Sequence, residues 1–177
     1  MQIALLFPGH LTINVSPLTG CEVTAEVRGR ATYQLLYELM MDSFRFGEDY
    51  HNSFDPKAYL NYYSGTGDQV EDSEFLLRCF YEFWSKMAKR NLRVLDFGGG
   101  PAIYDLISAA PYAEEIIFAE YSQENRKEVA AWRERSPDAY DWSPYFRFVL
   151  QRLEGKGSEE ALVREAELRK KITYFAL

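Results

Sequence analysis

Two histidines and two cysteines are all that this 177-residue chain holds of either type. Cys21 and Cys79 are too few for a disulfide framework or a thiolate metal site, and His10 and His51 form no pair at ligand spacing, so no metal is expected. Basic residues are also short. Twenty Lys and Arg stand against 27 Asp and Glu, which leaves a net charge of −7. That balance argues against nucleic acid as the main partner, because binding phosphates needs a basic face. No apolar run approaches membrane-spanning length. The opening Ile3-Ala4-Leu5-Leu6-Phe7-Pro8 lacks a basic flank and is short for a signal peptide, so a cytoplasmic protein with no membrane partner is expected.

Aromatic residues are plentiful, with 13 Tyr and 12 Phe, and the length suits one globular domain with a real core. The chain is organised around Arg93-Val94-Leu95-Asp96-Phe97-Gly98-Gly99-Gly100-Pro101-Ala102-Ile103-Tyr104. A short apolar run ends on an acid, three glycines follow, and Pro101 then opens a helical pattern. This reads as strand, tight turn and helix. The glycines permit positive φ and let a ligand lie against bare backbone. A proline suits the first turn of a helix, whose free N–H groups then face whatever occupies the turn. The alternative is a purely structural turn.

Gly98-Gly99-Gly100 supplies the first half of G-x-G-x-x-G, but the third small position falls on Ile103. A dinucleotide pyrophosphate is therefore disfavoured, and with it an NAD-dependent oxidoreductase. An acid does follow at the expected distance: Glu120 ends the run Glu115-Ile116-Ile117-Phe118-Ala119, about 22 residues beyond Gly98. A carboxylate there accepts both hydroxyls of a ribose. A glycine turn and a ribose acid without the third glycine fit S-adenosylmethionine better than NAD.

Elsewhere the pattern is coarser. Residues 1–44 carry no readable motif, although Tyr33–Met41 has the spacing of a helix, either a docking segment or an extension. Asp55-Pro56 is a helix start, with Asp as N-cap. Four tyrosines lie between Tyr50 and Tyr63. Their π faces attract a cation, which suits a lid over a sulfonium, and core packing is the other reading. Ser64 to Asp72 reads as a polar loop, with Ser73 capping a helix whose core face is Phe75, Leu76, Cys79, Phe80, Phe83 and Met87. Ile103, Leu106, Ile107 and Ala110 read as the buried face of the helix after the glycines. Ser122 caps another helix that reaches about Arg135, with Asn125 in its first turn. Phe146, Phe148 and Leu150 alternate like a third strand. Ser158 caps a last helix, acidic at its start and basic at its end. Ile172 to Leu177 begins like a strand.

Four features together resemble the nicotinamide, phenylethanolamine and indolethylamine N-methyltransferases. They are Phe54-Asp55-Pro56 with Tyr59-Leu60 and Tyr62-Tyr63; Leu95-Asp96-Phe97-Gly98-Gly99-Gly100-Pro101 with Ile103-Tyr104; Glu120-Tyr121-Ser122 with Asn125, followed by Trp132; and Asp141-Trp142-Ser143-Pro144. The resemblance covers about residues 50–172. It implies an α/β, Rossmann-like methyltransferase fold that binds S-adenosylmethionine and methylates a small amine or pyridine. By position, Tyr59 and Tyr63 would close over the cofactor, Gly98, Gly99 and Gly100 would line it with Tyr104 nearby, and Glu120 and Asn125 would hold its ribose. Three positions depart from the family: Gly99 replaces a usual Ser, Glu120 a usual Asp, and Phe175 an Asp that would contact adenine.

The resemblance also implies that the acceptor-recognising residues lie beyond Leu177. Three to four strands of the usual seven are then expected, in a partial methyltransferase domain over residues 45–177 with an unassigned extension over 1–44. No catalytic base is named. The alternative function is a truncated, non-catalytic fragment that binds cofactor weakly, pairs with another chain or self-associates.

Overall fold

The structure, a computed structural model, describes residues 2–5, 11–16, 20–24, 54–63 and 68–176. Its strands are β1 (Gln2–Leu5), β2 (Leu11–Ser16), β3 (Gly20–Thr24), β4 (Leu92–Phe97), β5 (Ala113–Glu120) and β6 (Ile172–Ala176). They form one sheet in the order β3-β2-β1-β4-β5-β6. The last three are parallel, with Phe97 opposite Ala119 and Glu120 opposite Ala176. β1, β2 and β3 are an antiparallel meander whose first strand pairs with β4, Ile3 opposite Asp96. The described residues therefore hold six strands, where the sequence reading gives three to four and assigns none to residues 1–44.

The helices are α1 (Pro56–Tyr63), α2 (Asp68–Ser85), α3 (Gln123–Arg133), α4 (Ser143–Arg147) and α5 (Ser158–Lys171). Asp55 caps α1 as expected: its Oδ1 accepts from the backbone N–H of Lys57 at 2.9 Å and of Ala58 at 3.1 Å. Ser122 likewise caps α3, accepting from Asn125 N–H. The expected cap of α2 is wrong. The helix begins at Asp68, so Asp68 to Asp72 belongs to it and Ser73 lies inside it. Its buried stripe is Leu77, Phe80 and Trp84, with Leu76 and Phe83 partly buried beside them; Phe75 is exposed, and Met87, partly buried, lies beyond the helix end. The seven-residue step from Leu77 to Trp84 is two helical turns, and Phe75 lies off that line. Gly157, not Ser158, is the residue before α5; the Ser158 hydroxyl instead accepts from Gln151 Nε2.

The expected third strand at 146–150 is helical. α4 continues into one π-helical stretch, Phe148–Leu153. Phe146, Val149 and Leu150 are buried, a spacing of three and four residues that outweighs the alternation of Phe146, Phe148 and Leu150. Strand β6 falls where the C-terminal pattern places it. Tyr33–Met41 lies outside the described residues.

The core sits where these helices meet the parallel strands. Phe118 and Ile116 of β5 and Leu92 and Val94 of β4 are fully shielded, as are Trp84, Trp132 and Phe146. Trp132 and Phe146 stack at 6.3 Å, and Trp132 Nε1 donates to Glu165 of α5 at 2.9 Å, so α3, α4 and α5 lock together around one indole. α5 is pinned beside the sheet by two cations: Arg164 donates to the carbonyl of Ile107 and Lys171 to that of Ala110. This places the carboxyl ends of β4 and β5 side by side, and the ligand crevice of a parallel sheet opens at such ends.

Candidate functional site

β4 buries alternate residues, Leu92, Val94 and Asp96. The acid thus stands in a core-facing register and is fully buried. After Phe97 the chain turns sharply. Gly98 has φ +69° and Gly100 has φ +67°, backbone that favours glycine. A Cβ on either would meet nothing within 4 Å, so the turn has open space beside it. Gly99 differs. A Cβ there would lie 2.9 Å from Asp96 Cγ, so the missing side chain leaves room for the Asp96 carboxyl folded beneath the turn. The Gly98 N–H extends the parallel ladder by donating to Ala119 O at 2.8 Å.

The expected helix after Pro101 does not form. A short 3-10 turn, Tyr104–Leu106, begins after Ile103, and irregular turns follow as far as Tyr112. Nearly every residue from Pro101 to Ala110 is buried, so this segment has no solvent face to make it amphipathic. The Gly100 N–H does not face an empty helix end. It donates to Glu120 Oε2 at 2.9 Å.

Glu120 is 5% exposed and gathers the site. Its Oε1 accepts from Ser122 N–H at 2.8 Å and from Asn125 Nδ2 at 3.3 Å. Arg126 holds the same corner from the other side, donating to the carbonyls of Glu120 and Tyr121. The sequence-read group Gly98, Gly99, Gly100, Glu120 and Asn125 therefore does converge. The carboxylate keeps one lone-pair direction on Oε2 beyond these bonds, and Asn125 Oδ1 is buried with no hydrogen-bond partner. Two such acceptors are what the two hydroxyls of a vicinal diol need. That chemistry fits the ribose of a nucleoside cofactor.

Two further carboxyls lie behind the turn. Burial pushes Asp105 up to about 7 against backbone N–H groups of Asp105 and Leu106 that pull it down. Burial, then the neighbouring charges of Asp105 and Glu120, raise Asp96 well above the usual carboxylate range. Burial and these neighbouring charges therefore favour the neutral form of Asp96, which lessens its repulsion of Glu120.

Tyr59 and Tyr104 belong to a second group. They line a small cavity of about 10 Å³, enough for one water, with Ala102, Tyr140, Trp142 and Tyr145. Tyr104 stacks on Tyr145 at 6.3 Å and approaches Trp142 at 6.2 Å; Tyr140 and Trp142 are 4.5 Å apart. Burial, then the Tyr140 hydroxyl 3.4 Å away, raises the Tyr145 phenol above its ordinary value. Tyr140 and Tyr145 escape the sequence reading. Their signal is aromatic density, with four rings in seven residues from Tyr140 to Phe146. Tyr59 itself packs against Phe54 at 5.5 Å. Tyr63 is the last residue of α1, and its side chain lies outside the described residues, as does that of Phe175.

Residues 42–176 match the profile of the NNMT/PNMT/TEMT family. The chain is 36% identical to indolethylamine N-methyltransferase of Mus musculus, over 72% of this chain and 49% of that protein. It is 30% identical to nicotinamide N-methyltransferase of Homo sapiens, over 70% of this chain and 50% of that protein. To phenylethanolamine N-methyltransferase of Sus scrofa it is 33% identical, over 69% and 44% respectively. The chain spans about half the length of the curated relatives it matches.

Proposed function

Because this chain belongs to the NNMT/PNMT/TEMT family, we propose that it takes part in S-adenosylmethionine-dependent N-methylation of a small amine or pyridine. One observation carries the cofactor reading: Glu120, at the carboxyl end of β5, and the orphaned Asn125 Oδ1 offer acceptors by the open glycine turn that follows β4. Ile103 supports S-adenosylmethionine over a dinucleotide. It is fully buried, so its bulk fills the place where a dinucleotide fold uses a small residue for close packing.

When bound, the cofactor supplies an activated methyl group on a sulfonium. The chain's share is to bind, orient and exclude water. Glu120 and Asn125 would hold the ribose, and the bare backbone of Gly98 to Gly100 lets the ligand approach closely. Tyr59, Tyr63 and Tyr104 would supply ring faces toward the cation. A pyridine nitrogen needs no base, whereas an alkylamine must first lose a proton.

The reading is tested by incubating the protein with methyl-labelled S-adenosylmethionine and, separately, nicotinamide, phenylethanolamine and tryptamine. Mass spectrometry should find label on the nitrogen of at least one acceptor, matched by S-adenosylhomocysteine. Label only on oxygen or carbon, or cofactor consumption that no amine or pyridine alters, would count against it.

A further inference from the structure

A cleft of about 300 Å³ opens at the other end of the parallel strands. Its walls come from the end of α2, from the segments that lead into β4 and β5, and from the loop before α5. Glu120 and the glycine turn lie at the opposite ends of those strands, about 20 Å along a six-residue strand. The cleft thus shares no residue with the site proposed for the cofactor.

We propose that this cleft binds a small aromatic carboxylate. Three observations carry the assignment. The first is charge: Arg90, Lys156 and Arg164 line the cleft against a single acid, Glu154. Burial opposes ionisation of Glu154, but hydrogen bonds from Arg164 and Lys156 hold its carboxyl below the usual range. The local balance is therefore positive in a chain whose net charge is −7, and an anion is the ligand that such a pocket attracts.

The second observation is unused donors. Trp84 is fully buried and Ser108 is 3% exposed, both line the cleft, and neither Trp84 Nε1 nor Ser108 Oγ has a hydrogen-bond partner. An indole N–H only donates, so it calls for an acceptor. A carboxylate supplies acceptors for both groups.

The third is the wall. Trp84 and Tyr112 lie 5.5 Å apart, and the Arg90 guanidinium sits 3.9 Å over the Tyr112 ring, braced by the carbonyls of Met87 and Lys89. Arg90 is exposed, so a flat aromatic body can stack on its guanidinium, where a bare inorganic anion gains nothing from stacking.

Calorimetric titration of the full chain with benzoate, and separately with inorganic phosphate, tests the proposal. Benzoate should saturate one site with a dissociation constant of about 1 mM or tighter, and phosphate should bind more weakly. Ser108→Ala should weaken benzoate at least about tenfold while leaving the melting temperature unchanged or higher. Lys156→Gln, at a half-exposed side chain that carries no core packing, should weaken it several-fold and flatten its salt dependence. No saturable benzoate binding, phosphate binding as tight as benzoate, or full affinity in both variants would each overturn the assignment.

Discussion

Asp105→Asn should stabilise the protein above pH 7 and lose that advantage near pH 4. Asp105 is fully buried, and its carboxyl is raised from 3.8 to about 7. In the unfolded chain it ionises near 4. Between those values the folded state binds more protons than the unfolded one, so stability is full below about pH 4, falls as pH rises, and levels off above about 7. At 1.36 kcal/mol per pH unit, the cost reaches on the order of 4 kcal/mol. Asparagine cannot ionise and escapes it. Its amide brings unpaired donors that return about 1–3 kcal/mol of penalty. The net gain at pH 8 is therefore about 1–3 kcal/mol, with a loss of similar size at pH 4. Asp96 is raised in the same direction, and removing the Asp105 charge eases it as well. Urea unfolding of parent and variant at pH 4, 6 and 8 measures the difference. Parallel curves, with the same offset at each pH, would show that Asp105 does not titrate in this range.

Glu120→Ala should weaken S-adenosylhomocysteine by about 10- to 150-fold, from about 1.5–3 kcal/mol for hydrogen bonds to a charged group. The carboxylate joins three protein donors, Gly100 N–H, Ser122 N–H and Asn125 Nδ2, and alanine leaves all three without it. Part of the loss is therefore a loosened turn. Glu120→Asp separates the two effects. It keeps the charge but is one methylene shorter, so its reach to Gly100 N–H is lost first. We expect the aspartate variant to bind within about tenfold of the parent and to melt at a lower temperature. An alanine variant that binds like the parent would make Glu120 a structural brace with no role toward a ligand.

The residues of the candidate site were more legible than the scaffold around them. The Gly98 to Gly100 turn and the acid at Glu120 follow from local rules, since a turn needing positive φ demands glycine and an acid closing an apolar run marks the end of a strand. Asn125 followed from the cap at Ser122, which fixes where the first turn of α3 lies. The meander was harder. Leu11-Thr12-Ile13-Asn14-Val15-Ser16 does alternate apolar and polar residues, the period of a strand, but Pro8, Gly9, Pro17 and Gly20 break the segment into pieces that look irregular. The run at 146–150 fits two periods at once, and only Val149 and Leu153 favour the helix. The cluster of Tyr59, Tyr104, Tyr140 and Tyr145 joins residues up to 86 positions apart, which no local pattern reports. The full burial of Asp96 and Asp105 is likewise a product of packing. Sequence shows an acid in a core register but not whether a partner reaches it.

The most direct test of the cofactor reading is a pair of calorimetric titrations of the unmodified chain, one with S-adenosylhomocysteine and one with NAD, in the same buffer at neutral pH. The glycine turn, Glu120 and the orphaned Asn125 Oδ1 predict saturable binding of S-adenosylhomocysteine at one site, tighter than any binding of NAD. NAD binding equal to or tighter than that of S-adenosylhomocysteine would contradict it.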